Sequence, residues 1–305
     1  MNYQRDQFID VIYSAAKKDK NIYFLSADFG APALDKFRED LPDQFIHCGI
    51  SEQHMIDMAV GFALDGNTVF CYAMAPFVSL RCLEQHKCGP SIMNLPICTI
   101  VAGVGIGYAD AGPTHYATED LACLRAMIGS KVYTASDGIV SKLLAEKLVK
   151  SPEFSFVRLD RDPSKDFLPS IDGTQVNKGF RIFNKKENPD LIILTCGYLY
   201  GIVQSILINN DFKKDIVLID IINCKPFPKI DEIIQHKKLL IIDEQTSYGG
   251  LSSAVLEYIC DSNLTVDIKR MSLPDVHLFE NGGRKRVLES VGLGEKQIIE
   301  NITNL

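Results

Sequence analysis

The chain has 305 residues, 46% of them hydrophobic and 23% charged, enough for about two cores of roughly 150 residues each. A net charge of −7 without a basic stripe argues against nucleic-acid binding, and no run reaches the roughly 20 apolar residues of a membrane-spanning helix. Nine scattered cysteines include no C-x-x-C pair, which argues against a disulfide framework or a structural zinc site and fits small buried hydrophobes in a reducing compartment. The opening stretch MNYQRDQFIDVIYSAAKKDK is amphipathic, carries acids and lacks the apolar centre of a secretory signal, so the expected location is the cytoplasm.

In chain order, short apolar runs alternate with helical patterns. The runs cover 22–28, 68–74, 97–103, 131–136 and 155–160, then 191–197, 216–222 and 238–244. Continuous apolar runs of this length fit strands covered on both faces, as in a parallel sheet. Helical patterns lie between them at 52–64, 138–150 and 251–259. The alternation predicts an α/β fold with right-handed crossovers. A stretch near 163–189, rich in Pro, Gly, Asn and charge, interrupts it with only a short strand-like piece inside. This places a first α/β domain at 1–168, a linker at 169–188 and a second, smaller α/β domain at 189–305.

Four local patterns carry chemistry. LSADFG ends an apolar run on Asp28; a carboxylate at the carboxyl end of a strand is a common functional position, although a plain turn-forming Asp is the simpler reading. In CGISEQHMIDMAVGFALDG, Ser51 can cap a helix, with Met55, Met58, Ala59, Phe62 and Ala63 as its buried stripe. Glu52 then sits in the first turn, where the helix dipole favours a carboxylate with or without a function. FVSLRCLEQ sets Phe77, Arg81 and Glu84 at helical spacing, equally readable as an exposed helix carrying a salt bridge. GVGIGYADAGPTHYATEDLACLR is a long glycine-rich loop whose glycines let backbone approach a ligand, with Pro113 stiffening the presentation of Thr114 and His115.

The order of these patterns carries a resemblance. GISEQH (49–54), GPTH (112–115) and EDLACLR (119–125) resemble the pyrimidine-binding domain of transketolases and of 1-deoxyxylulose-5-phosphate synthase. IDIINCKPFPKIDEII, LLIIDEQTSYGGLSSAV and GGRKRVLESVGL, further along, resemble the C-terminal domain of the same enzymes, so the similarity covers essentially the whole chain. It implies two three-layer α/β/α domains, a thiamine-diphosphate-binding pyrimidine module followed by a transketolase C-terminal-like domain. The family's diphosphate-binding domain carries GDG with a downstream Asn as ligands of a metal; this chain has only SDG at 136–138 and LDGN at 64–67. The resemblance therefore implies a split transketolase, transferring a two-carbon ketol unit between sugars with thiamine diphosphate. A separate N-terminal subunit would hold the diphosphate and Mg2+, in a heterotetramer of two copies of each chain, with no metal ligand contributed from this one.

By the same resemblance Glu52 is the acid hydrogen-bonded to the aminopyrimidine, in a largely apolar pocket, and Phe77 packs on that ring. Arg81 matches the deoxyxylulose-phosphate synthases at this helix, and Asp28 matches a position near the cofactor and subunit contact. His115 contacts sugar hydroxyls and joins Glu52 as a catalytic residue. Arg5 and Arg161, with Arg158 close by, fall where the family sets arginines against a sugar phosphate, whose geometry the planar guanidinium matches. The chain departs from the family pattern at Pro32, where a Ser is expected, at Gly103 for a His, and at Ala111 for an Asp, with Asp110 beside it. A non-phosphorylated or modified sugar thus stays open beside a sugar phosphate. Three alternatives remain: the beta subunit of a 2-oxo acid dehydrogenase, against which GPTH speaks, a deoxyxylulose-phosphate synthase, and a non-catalytic regulatory subunit.

Overall fold

The computed structural model describes residues 3–27 and 30–305. Its first half runs through α1 (Gln4–Ala16), β1 (Ile22–Ala27), α2 (Asp35–Asp40), β2 (Phe45–Gly49), α3 (Glu52–Leu64), β3 (Thr68–Met74), α4 (Ala75–Ser79), α5 (Leu83–His86) and β4 (Ile97–Ala102). It closes with α6 (Asp120–Ala126), β5 (Lys131–Thr134), α7 (Gly138–Lys150) and β6 (Ser155–Leu159). The second half begins with α8 (Gly173–Lys178), β7 (Phe180–Phe183), β8 (Leu191–Thr195), α9 (Tyr198–Asn209), β9 (Ile216–Ile221) and β10 (Asn223–Lys225). It ends with α10 (Asp231–Ile234), β11 (Lys238–Thr246), α11 (Leu251–Asp261), β12 (Asp267–Leu273), α12 (Gly283–Ser290) and α13 (Glu295–Asn304). Among the described residues no helix is long and apolar enough to cross a membrane.

Two sheets organise these elements, one of seven strands in the order β10-β5-β6-β4-β3-β1-β2 and one of five in the order β12-β11-β8-β9-β7. Both are parallel except for β10 against β5 and β7 against β9. All eight apolar runs are strands, because β4, β8 and β9 and their neighbours are covered by helices on both faces. The strands outside those runs are edges or short pieces. β2 and β12 keep solvent-facing polar residues such as His47, Lys269 and Arg270, so no continuous apolar signal marks them. Residues 169–188 carry α8 and β7, and β7 is the edge of the second sheet rather than free chain. β10, from the second half, pairs with β5 and so extends the first sheet.

Local sequence explains the helices that matter for the site. α3 buries Met55, Ile56, Ala59 and Ala63 on one side. Ser51 does not cap it with its side chain: the hydroxyl donates to the Cys48 carbonyl, while the Ser51 carbonyl accepts the first helical bond from the Met55 N–H at 2.9 Å. α7 is capped in the usual way, Asp137 accepting from the Val140 N–H at 2.8 Å. Asp137 is held in turn by Arg181 of β7, whose two terminal nitrogens donate to Asp137 and Asp220 at 2.8 Å each. All three side chains are fully buried, and burial pushes the Asp220 carboxyl up to about 6 despite the guanidinium beside it.

His86 closes the core behind α3 and α4. Its Nε2 donates to the Val78 carbonyl at 2.9 Å, its ring lies edge-on to Phe156 with centroids 4.8 Å apart, and Nδ1 is buried without a partner among the described residues. Burial lowers its pKa from 6.5 to about 4, with the bond to Val78 opposing the shift. The unfolded chain then takes up a proton below about 6.5 and the folded chain only below about 4. Stability is therefore intact above pH 6.5 and falls by about 3 kcal/mol from this group as pH drops to 4. His86→Gln, which keeps a neutral donor for Val78, should flatten that acid slope relative to the parent chain in denaturant titrations at pH 7 and pH 4.5. An identical slope in both would contradict the assignment.

Candidate functional site

A parallel sheet delivers the residue after each strand to the same edge. In the seven-stranded sheet, Ala27, Gly49, Met74, Ala102 and Leu159 end their strands there. Gly49 turns the chain into α3 with φ of +67°, a value that favours glycine. That turn sets Glu52 at the first position of α3 with only 5% of its surface exposed. From the neighbouring strand, β3 leads into α4, which stops at Ser79, and Arg81 lies in the break before α5.

Arg81 does not pair with Glu84, as helical spacing suggested; its Nη1 donates to Glu52 Oε2 at 2.7 Å. Its guanidinium carbon stands 4.4 Å from the centre of the Phe77 ring, and that ring meets His115 edge-on with centroids 5.4 Å apart. The Thr114 hydroxyl lies 2.9 Å from His115 Nδ1. Four side chains from three loops thus form one row: a buried carboxylate, an exposed guanidinium, and two half-buried rings. The carboxylate's surroundings are not purely apolar, because Arg81 supplies a cation at its mouth. Among the described residues the hydrogen bond to the Glu52 carboxylate falls on Oε2, from Arg81, and none falls on Oε1.

A second group gathers at the same edge. Arg161 follows β6, is exposed, and stacks 4.7 Å above the centre of the Tyr108 ring. Arg5 is half-buried beside the Tyr72 phenol, and its Nε donates to Asp6 Oδ1 at 2.8 Å. Burial pushes the Tyr108 phenol up to about 12, with Arg161 and Arg5 acting against the shift. The Tyr108 ring covers Gly103: at φ of +83°, a Cβ there would come within 2.0 Å of a ring carbon. Gly105, with φ of +61°, gives room to Glu244, whose Oε2 would stand 2.5 Å from a Cβ. These two glycines serve the protein's own side chains, a correction to the expectation that they admit a ligand. Gly112 of GPTH, with φ of +79° and open space around it, makes the turn that presents His115.

Arg158 is placed differently from the other arginines. It points inside β6 and is 2% exposed; its Nε and Nη2 donate to Asp120 at 2.8 and 3.0 Å, and Nη1 to the Thr134 hydroxyl at 2.9 Å. Three of its five N–H donors are engaged by the protein and the group is buried, which sets it apart from the exposed Arg161 and the half-buried Arg5. Asp28 lies outside the described residues. Sequence reading missed Tyr108, which lies beneath Arg161, and Asp160, Glu244 and Arg284, which join the two halves beside it. The only signal was their position within stretches already noted, the glycine-rich loop, the apolar run 155–160, LLIIDEQ and GGRKR.

Comparison with known proteins matches residues 4–164 to the pyrimidine binding domain of transketolase and residues 183–298 to the transketolase C-terminal domain. The chain is 27% identical over 304 residues to one of the subunits of the apulose-4-phosphate transketolase of Phocaeicola vulgatus, covering 96% of this chain and 94% of that one. It is 26% identical over 275 residues to 1-deoxy-D-xylulose-5-phosphate synthase of Prochlorococcus marinus, covering 88% of this chain but 42% of that protein. Among solved structures, a split gene transketolase described as an inactive beta4 tetramer superposes with a TM-score of 0.81 at 20% identity, over 99% of this chain and 97% of that one.

The two arginines should separate by stability. Arg158→Met leaves Asp120 buried and unpaired and should cost roughly 3–5 kcal/mol in denaturant unfolding. Arg161→Met, at an exposed position, should stay within about 0.5 kcal/mol of the parent. Equal losses would contradict these placements.

Proposed function

Because this chain belongs to the transketolase family, we propose that it is the pyrimidine-binding and C-terminal subunit of a two-subunit transketolase. The enzyme moves a two-carbon ketol unit from a ketose to an aldose. The observation that carries this reading is the row Glu52–Arg81–Phe77–His115, a buried carboxylate beside a half-buried aromatic ring at the carboxyl edge of the sheet.

These residues suit the aminopyrimidine half of thiamine diphosphate. When bound, that cofactor supplies a nucleophilic carbon for attack on a ketose carbonyl. Glu52, buried in the first turn of α3, would hydrogen-bond the pyrimidine ring nitrogen and relay a proton there. Arg81 fixes the carboxylate by its bond to Oε2 and leaves Oε1 to the ring. Phe77 offers its face to the ring, and His115, steadied by Phe77 and Thr114, donates to hydroxyls of the sugar. Arg5 and Arg161 grip an anionic end of the sugar, a phosphate by analogy with the relative named for apulose-4-phosphate. Asp28 lies near the cofactor on the family pattern alone.

A partner chain with the diphosphate-binding domain supplies the diphosphate site and Mg2+, and two copies of each chain form a heterotetramer in the cytoplasm. Support comes from the Phocaeicola vulgatus relative, itself one chain of a multi-chain transketolase, and from the solved split transketolase whose beta chains alone form an inactive tetramer.

Combined with its partner, thiamine diphosphate and Mg2+, the chain should catalyse ketol transfer to an aldose acceptor. Glu52→Gln should lower kcat by about 10²–10⁴-fold, while sugar KM moves little. Full turnover by that variant complex would remove the reading.

A further inference from the structure

We propose that Arg284, from the C-terminal half, is a positioning residue for the substrate grip, acting through Asp160 on Arg161 and Arg5. The inference rests on the reading of those two arginines as the contacts to the sugar's anionic end.

Arg284 is 6% exposed and stands at the start of α12, behind the glycine pair Gly282 and Gly283. All three nitrogens of its guanidinium are engaged. Nε donates to Glu244 Oε1 at 2.7 Å and Nη2 to Glu244 Oε2, while Nη1 donates to both oxygens of Asp160 at 2.9 and 2.7 Å. The face of the guanidinium covers the Tyr198 ring at 3.6 Å from its centre, and Asp162 Oδ2 lies 3.6 Å from Nη1. One cation therefore serves three carboxylates. Burial pushes the carboxyls of Glu244 and Asp162 up, and Arg284 opposes both shifts.

Asp160 is the hinge of the arrangement. Its N–H donates to Gln4 Oε1 at 2.9 Å, and its Oδ1 accepts from the Asp162 N–H at 2.8 Å. Gln4 adjoins Arg5, and Arg161 lies between Asp160 and Asp162, so each gripping arginine is one residue from an anchored neighbour. A second route reaches the same place. Glu244, held by Arg284, fills the space over Gly105, and the loop containing Gly105 carries the Tyr108 ring on which Arg161 stacks. Both the backbone and the ring beneath Arg161 thus depend on one guanidinium.

General adhesion between the halves does not need Arg284. Arg181 joins Asp137 to Asp220, Arg125 donates to the Gly249 carbonyl at 2.8 Å, and Gln245 Nε2 donates to the Ala117 carbonyl at 2.9 Å. Loss of Arg284 should therefore be felt locally.

The test uses the complete two-subunit enzyme loaded with thiamine diphosphate and Mg2+. Two forms are compared, Arg284→Lys and the triple variant Arg284→Met/Asp160→Asn/Glu244→Gln, which leaves no buried carboxylate alone. A lysine cannot bridge both carboxylates with paired bonds. Each form should raise KM for a phosphate-ended ketose about tenfold, with kcat within about threefold and cofactor affinity unchanged, the sign of lost substrate positioning. Added to Arg5→Met/Arg161→Met, the triple variant should raise KM no further than Arg5→Met/Arg161→Met does alone, because residues acting through one another are not additive. Additive losses, or a joint fall in kcat, cofactor affinity and substrate affinity, would overturn the inference. A raised KM in Arg5→Met/Arg161→Met with none in the Arg284 forms would overturn it alone. An unchanged KM in Arg5→Met/Arg161→Met would overturn the reading of the grip as well.

Discussion

A parallel sheet has a direction, and that direction organises this protein. Six parallel strands of the first sheet end at a common edge, and the chain that leaves β2, β3, β4 and β6 carries Glu52, Phe77, Arg81, Tyr108, His115 and Arg161. β1 lies between β2 and β3; the chain leaving β1 turns toward β2 while the chain leaving β3 turns toward β4, which opens a crevice at the edge. Glu52 enters from one side of that crevice and Arg81 from the other. Their bond, from an exposed guanidinium to a buried carboxylate, ties the two sides together and aims the carboxylate.

The second half contributes more than a neighbouring fold. β10 extends the first sheet, β7 sends Arg181 to the cap of α7, and α12 sends Arg284 to the residues flanking Arg161. Each arginine is buried among carboxylates, so each is costly to remove and rigid in place. The same arrangement explains why Gly103 and Gly105 are glycines. Tyr108 and Glu244 occupy the volumes that side chains at those positions would need.

Legibility in the sequence followed burial. Central strands such as β4 and β8 were readable because both faces are covered, so every residue is apolar or small. β2 and β12 were not, since an edge strand alternates toward solvent and uses polar residues. Glu52 and His115 were legible through motif order, and the structure brings them into one row through Arg81 and Phe77. Arg81's partner was not legible, because helical spacing points to Glu84 while the actual break between α4 and α5 turns the side chain toward α3. Arg158 and Arg161 look alike in VRLDRD, yet strand alternation sends the first inward to Asp120 and the end of β6 leaves the second at the surface. Arg284 could not be placed from sequence at all. Its partners lie 40 and 124 positions away, a distance that local pattern cannot span.

The central claim is that this chain provides one half of a shared cofactor site. Calorimetric titration of thiamine diphosphate with Mg2+ tests it most directly, run on this chain alone, on the diphosphate-domain partner alone, and on the two together. Tight binding is expected only for the pair. Binding by this chain alone, as tight as by the pair, would contradict the claim.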